Sequence, residues 1–113
     1  MDIEQLREYC INKPGSEESF PFGNDTLVFK VNNKIFLLAS LDAQPLRFNV
    51  KCDPEKAIEL RETYPESVLP GYHMNKKLWN TVIIDGSIPT KHLCEFIDES
   101  YELVKKKKSS QII

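Results

Sequence analysis

The sequence predicts an α+β domain, an antiparallel sheet with helices packed on one of its faces. Two observations carry that expectation. Apolar and polar residues alternate with period two through the middle of the chain, in Leu27 to Val31 and again in Leu46 to Cys52. Helical stripes with capping residues flank and interrupt these runs, behind Asp2, behind Asp53-Pro54 and behind Pro89. The resulting order is helix, strands, helix, strand, helix.

Each element has its own signal. Asp2 caps a first helix, Gln5 holds the capping-box position, and Ile3, Leu6 and Cys10 form its apolar stripe. Pro14-Gly15 ends it. Ser16 to Asn24 reads as a polar and aromatic loop around Phe20-Pro21-Phe22-Gly23. Leu27, Phe29 and Val31 then mark a strand, and Asn32-Asn33 a tight hairpin, because asparagine tolerates the positive φ that such turns require. Ile35 to Leu41 returns as a strand that is apolar on both sides and therefore central. After a turn at Asp42 to Pro45, Leu46, Phe48, Val50 and Cys52 alternate with Arg47, Asn49 and Lys51, so one side of this strand is oily and the other basic. Asp53-Pro54 opens a helix with Asp as cap and Pro in the first turn. Ala57, Leu60 and Tyr64 give it a buried stripe, and Pro65 stops it. Glu66 to Lys77 shows no period. Trp79 to Asp85 is the last strand, and Leu93, Phe96, Ile97, Tyr101 and Val104 line one face of the final helix.

At 113 residues the chain has room for one domain. Its 41% hydrophobic content suffices for a core without disulfides or metal. The domain is expected to run over residues 1–108, with 109–113 as a disordered tail behind the lysine run 105–108, whose cations suit a helix C-terminus. The N-terminus lacks the basic and apolar regions of a secretion signal. The longest apolar run, Ile35 to Ala39, falls far short of the ~20 residues that span a bilayer. A soluble, cytoplasmic protein with no membrane partner is expected.

Cys10, Cys52 and Cys94 lie far apart, without the close spacing of a zinc or redox pair, and read as small core residues. Only Cys52 has an adjacent cation, Lys51, that could lower its pKa. Net charge is -2, which argues mildly against a dedicated nucleic-acid binder. Its distribution is polar, however. Thr26 to Cys52 carries Lys30, Lys34, Arg47 and Lys51 against Asp42 alone, and Pro70 to Ile84 carries Lys76 and Lys77 with no acid. The acids concentrate on the helices.

Pro70 to Val82 (Pro-Gly-Tyr-His-Met-Asn-Lys-Lys-Leu-Trp-Asn-Thr-Val) is too idiosyncratic for a generic loop. Together with Pro14-Gly15, Phe20-Pro21-Phe22-Gly23, Val28 to Val31, Lys34-Ile35-Phe36, Lys51 to Pro54, Leu60-Arg61 and Ser100 to Val104, it resembles the MmcQ/YjbR family. These are small bacterial domains described as DNA-binding. The resemblance covers nearly the whole chain in the family's order, and implies a frataxin-like (CyaY-like) α/β arrangement. It departs at Leu78, where the family often has histidine, which weakens any scheme needing a histidine pair.

Two functions are expected in order. The first is DNA binding, with Lys30, Lys34, Arg47, Lys51, Lys76 and Lys77 on phosphates and Asn75 and Asn80 on phosphate or base edges. The second is a non-enzymatic module that binds a protein or small ligand at the same segment through Tyr72, His73 and Trp79, motivated by the clustering of Tyr72, Met74 and Trp79. Trp79 reads first as a core anchor and only then as a platform for bases, and His73 as a loop anchor before a ligand. His92 reads as exposed. No nucleophile with a base, carboxylate pair, metal cluster or glycine-rich phosphate loop has recognisable spacing, so neither an enzyme nor a cofactor is expected. A continuous positive strip near Lys76 would favour DNA; a concave apolar pocket would favour the second reading.

Overall fold

The computed structural model describes residues 1–71 and 74–110, with side chains through residue 106. Six antiparallel strands form one sheet in the order β1-β2-β3-β4-β6-β5: β1 (Glu17–Ser19), β2 (Thr26–Val31), β3 (Lys34–Ser40), β4 (Arg47–Lys51), β5 (Val68–Pro70) and β6 (Trp79–Ile83). The helices are α1 (Ile3–Ile11), α2 (Pro54–Thr63) and α3 (Thr90–Ser110). This is the expected α+β arrangement. The helix α3 is described through Ser110, and Gln111 to Ile113 lie outside the described residues.

Local chemistry explains each boundary. Asp2 and Gln5 form the reciprocal capping box of α1, each side chain accepting from the other's backbone N–H at 2.8–2.9 Å. Asn32 and Asn33 both take positive φ, 53° and 65°, and close the β2–β3 hairpin. Asp53 caps α2, with Pro54 in its first turn. The two edge strands are what the sequence reading missed. In β1, expected as loop, Glu18 is held from α1 by a two-point contact with Arg7, at 2.7 Å from Nε and 2.5 Å from Nη2. In β5, Val68 is buried while Leu69 and Pro70 are exposed. Three-residue strands are too short to show a period.

One side of the sheet packs against α1 and α3. Leu27, Phe29, Val31, Leu37, Ala39, Phe48, Val50 and Val82 meet Leu6 and Cys10 of α1 and Leu93, Phe96, Ile97, Tyr101 and Val104 of α3. A bulge between Phe29 and Lys30 shifts the β2–β3 register, so Phe36 and its neighbour Leu37 are both fully buried. The Phe36 ring meets Tyr101 edge-on at 5.3 Å and lies 6.2 Å from Phe29. The β3–β4 ladder stops at Leu37 and Val50, and Ser100 of α3 takes over beyond it. Its hydroxyl accepts from the Lys51 N–H at 2.8 Å and donates to the Phe36 carbonyl at 2.5 Å. A buried serine in the helix thus satisfies backbone groups that the bulge releases.

The helices are tied by polar contacts at their ends. Asp98 accepts from Tyr9 Oη and Lys13 Nζ, both at 2.6 Å, and Lys13 also stands over the rings of Tyr9 and Tyr101. Burial, then the bond to Asp98, raises the Tyr9 pKa. The Tyr101 hydroxyl donates to the Pro14 carbonyl, which gives the Pro14-Gly15 turn a structural purpose. At the far end, hydrogen bonds from Ser87 and Ser67 bring Asp85 down to about 2 and hold the turn after β6. Among the described residues no helix is long and apolar enough to cross a membrane.

Candidate ligand groove on the open sheet face

Among the described residues no helix covers the other side of the sheet, and the residues on it follow from the register. One cross-strand row runs Ser19, Val28, Leu38, Asn49, Thr81, Leu69. A second row, Thr26, Ser40, Arg47, Ile83, lies on one side of it. On the other side lie Glu17, Lys30 and Ile35, with the Lys51–Trp79 pair farther across the sheet. The surface is mixed, with apolar residues at its centre and charges towards its margins.

Two loops wall in the centre. Phe22, 65% exposed, comes from the turn between β1 and β2, and Met74 comes from the segment between β5 and β6. With Thr26, Ile35, Leu38, Ser40 and Asn49 they enclose a groove of about 410 Å³. Phe20 is also exposed, at 48%, and Gly23 shapes the turn by accepting the Thr26 N–H. On the floor, Thr81 Oγ1 donates to Asn49 Oδ1 at 2.6 Å.

The Met74 wall is held by an arginine clamp. Arg61 of α2 donates from Nε to Asn80 Oδ1 at 2.7 Å, and from Nη2 to the carbonyls of Lys76 and Trp79. The Leu60-Arg61 pair noted in the sequence is therefore the bracket for the Pro70–Val82 segment. Gly71 is required here for a different reason than turn geometry. Its N–H donates to the Trp79 carbonyl at 2.9 Å, and a Cβ would lie 2.7 Å from Trp79 Cβ. Asn75 Oδ1 accepts from Lys77 N, and the Asn75 carbonyl accepts from Leu78 and Trp79, which closes the turn.

The structure separates the candidate residues. Lys30, Arg47 and Lys51 lie on the open face, at its margins. Lys34 does not: beyond the bulge it pairs with Val31, whose side chain is in the core, so its register places it on the helix side. Asn80 is also removed from the surface. It is 1% exposed, on the side facing α2, where it accepts from Arg61 and donates to the Ala57 carbonyl at 3.4 Å. Asn75, Lys76 and Lys77 are exposed on the turn, with Lys76 Nζ reaching back to the Gly71 carbonyl at 3.5 Å. Trp79 is half-buried and pairs with Lys51 on the open side, outside the helix-side core that was its first reading. Tyr72 and His73 lie outside the described residues.

Three side-chain atoms, Ser16 Oγ, Ser19 Oγ and Arg47 Nε, are buried without a hydrogen-bond partner among the described residues, and of these only Arg47 Nε belongs to a charged group. An unmet buried donor costs about 1–3 kcal/mol. The two ion pairs formed among the described residues, Arg7–Glu18 and Lys13–Asp98, do not involve Arg47.

The thiols are structural. Burial pushes Cys10 and Cys52 up to about 12, so Lys51 does not activate Cys52. Burial also raises half-buried Cys94. His92 is half-buried against Tyr64, 3.4 Å from Nδ1 to the hydroxyl, rather than exposed. No group of three His, Cys, Asp or Glu residues able to hold a metal forms among the described residues. Phe22, Met74 and the sheet floor do not read from the sequence as one site, because they lie on separate elements; the sequence signals are the clustering of Met74 with Tyr72 and Trp79 and the place of both loops in the family-like stretches.

Residues 11–103 match the YjbR family model. The chain is 39% identical to the uncharacterized protein YbdF of Escherichia coli O157:H7, over 92% of this chain and 88% of that one. It is 33% identical to the uncharacterized protein YjbR of Escherichia coli K12, over 90% and 86%. The crystal structure of Deinococcus radiodurans protein DR2400, of the family-model domain DUF419, superposes with a TM-score of 0.90 at 44% identity, covering 94% of this chain and 80% of that one.

Proposed function

The chain belongs to the YjbR family, and we propose that this member is a non-enzymatic binding module whose open sheet face takes a small ligand with an apolar body. The observation that carries the reading is the groove between Phe22 and Met74. Its volume lies within the ~300–1,000 Å³ typical of ligand pockets, with apolar walls and a few polar groups for orientation. Here those groups are Thr26, Ser40 and Asn49. Ile35, Leu38 and Met74 remain partly in contact with water, and a ligand that covers them gains the burial that no helix provides on this side.

An apolar fluorescent anion, anilinonaphthalene sulfonate, tests this directly. Its emission should rise saturably with the folded protein, with energy transfer from Trp79, the single tryptophan of the chain. Leu38→Glu should abolish the signal and Met74→Ala should weaken it, with both far-UV spectra unchanged. Binding that survives Leu38→Glu in a folded protein would sink the groove.

A DNA reading has one observation in its favour: Lys30, Arg47 and Lys51 share the open face, and Lys76 and Lys77 are exposed on the turn that leads into β6. The apolar centre and Trp79 suit stacked bases of a single strand rather than a duplex. In anisotropy titrations a labelled single strand should then bind more weakly as salt rises. Lys76→Ala with Lys77→Ala should lower the slope of log K against log salt by about 1.4. Absence of binding at low salt removes this reading and leaves the groove untouched.

A further inference from the structure

Resting on the small-ligand reading, we infer that the ligand is an apolar carboxylic acid, its carboxylate taken by Arg47 and its body lying towards Ile35 and Met74. The groove has a polar end, lined by Thr26 and Ser40, and an apolar end, and Arg47 adjoins the polar end through its pairing with Ser40 without itself lining the groove. Thr26 and Ser40 pair directly in register, and Ser40 pairs with Arg47, so two hydroxyl residues and a guanidinium share one cross-strand row. Leu38 follows in the next row, and Ile35 lies farther along β3. From Ser40 to Ile35 the bulged strand faces the stretch Thr26 to Lys30 of β2, roughly 13 Å, room for a chain of about ten carbons.

Arg47 is suited to the head group for three reasons. Its Nε has no partner among the described residues and the residue is only partly buried, so the guanidinium can turn to an acceptor in the groove without giving up a hydrogen bond at that nitrogen. Its planar fork matches a carboxylate in two-point contact and stays charged at any working pH. No acid is among the described residues that line the groove, so an anion meets no repelling charge from them.

The head group carries one charge rather than two. A phosphate ester would call for a second cation beside the guanidinium. Lys51 sits at the opposite end of β4, roughly 13 Å along the strand from Arg47. Lys30 is on β2, two strands away, and Lys76 and Lys77 belong to the turn behind Met74 rather than to the row of Arg47. One guanidinium flanked by hydroxyl residues fits a carboxylate.

The test compares decanoate, decanol and decyl phosphate binding to the full chain, read by Trp79 fluorescence and by displacement of anilinonaphthalene sulfonate. Decanoate should bind about 10- to 100-fold more tightly than decanol, the difference that a charged hydrogen-bonded head group makes. Arg47→Gln should reduce decanoate to the level of decanol while leaving decanol within about 2-fold. Arg47→Lys should fall between, because an ammonium keeps the charge and loses the fork. Equal affinity of decanoate and decanol for the unaltered protein, which requires no variant, overturns the assignment and leaves the groove standing. So does an equal loss of both ligands in a folded Arg47→Gln protein, or tighter binding of decyl phosphate than of decanoate. If none of the three binds, the ligand-binding reading falls as well.

Discussion

Replacing Phe36 by alanine should lower the unfolding free energy by about 3–5 kcal/mol, the range for emptying a fully buried phenylalanine site. The side chain is 0% exposed, and it stands where the bulged turn of the sheet meets α3. Its ring is packed edge-on to Tyr101, an arrangement worth about 0.5–1.5 kcal/mol beyond buried area. Collapse of the cavity is restricted, because the Ser100 hydroxyl fixes the Phe36 carbonyl and the Lys51 N–H on either side. For a domain whose total stability is of order 5–15 kcal/mol, such a loss is a large fraction. Urea unfolding should show a lower midpoint with an unchanged slope. Phe36→Leu should lose clearly less than Phe36→Ala. A loss below about 1 kcal/mol for the alanine variant would mean that the bulge is not held by this ring.

Phe36 also marks where the sequence could be read and where it could not. The α+β class, the hairpin at Asn32-Asn33 and the three helices followed from periodicity and caps, which are local signals. Alternation in β4 correctly assigned Phe48 and Val50 to one side and Arg47, Asn49 and Lys51 to the other. The bulge broke the same logic in β3. One extra residue reverses the side of everything beyond it, and Lys34 consequently left the face where simple alternation puts it. Nothing in Lys34-Ile35-Phe36-Leu37 announces the extra residue, because the partner that accepts it, Ser100, is far along the chain.

Asn80 was misplaced for a related reason. A polar residue in an amphipathic strand is normally assigned outwards, yet this one points inwards because Arg61 supplies a charged donor from another element. Trp79, its neighbour in β6, is displaced to the open side by the same alternation. The groove was the least legible feature. Phe22, Leu38, Asn49 and Met74 come from two loops and two strands, and only the sheet order and register bring them together. What the sequence did carry was the importance of the two stretches that wall it, Phe20 to Gly23 and Pro70 to Val82.

The second large effect is expected at the clamp between α2 and the Met74 wall. Arg61→Met keeps an apolar stem of similar length and removes every donor of the guanidinium. Asn80 Oδ1 is left without its donor in a site that is 1% exposed, and the Lys76 and Trp79 carbonyls lose theirs. A buried acceptor left unmet costs about 1–3 kcal/mol, and hydrogen bonds to charged groups contribute about 1.5–3 kcal/mol, so a loss of about 2–4 kcal/mol is expected. Much of that loss should be recovered by Arg61→Met with Asn80→Leu, since replacing both partners by apolar groups removes the orphaned acceptor. The double-mutant cycle should therefore show coupling of more than about 1 kcal/mol; strict additivity would mean that Arg61 and Asn80 do not act as one unit. Arg61→Met should also weaken anilinonaphthalene sulfonate binding, because the turn that carries Met74 is anchored through the Lys76 carbonyl. The double variant should restore stability without restoring the probe, since its leucine supplies nothing to that carbonyl. Recovery of both together would assign the clamp to the fold alone, with no part in shaping the groove.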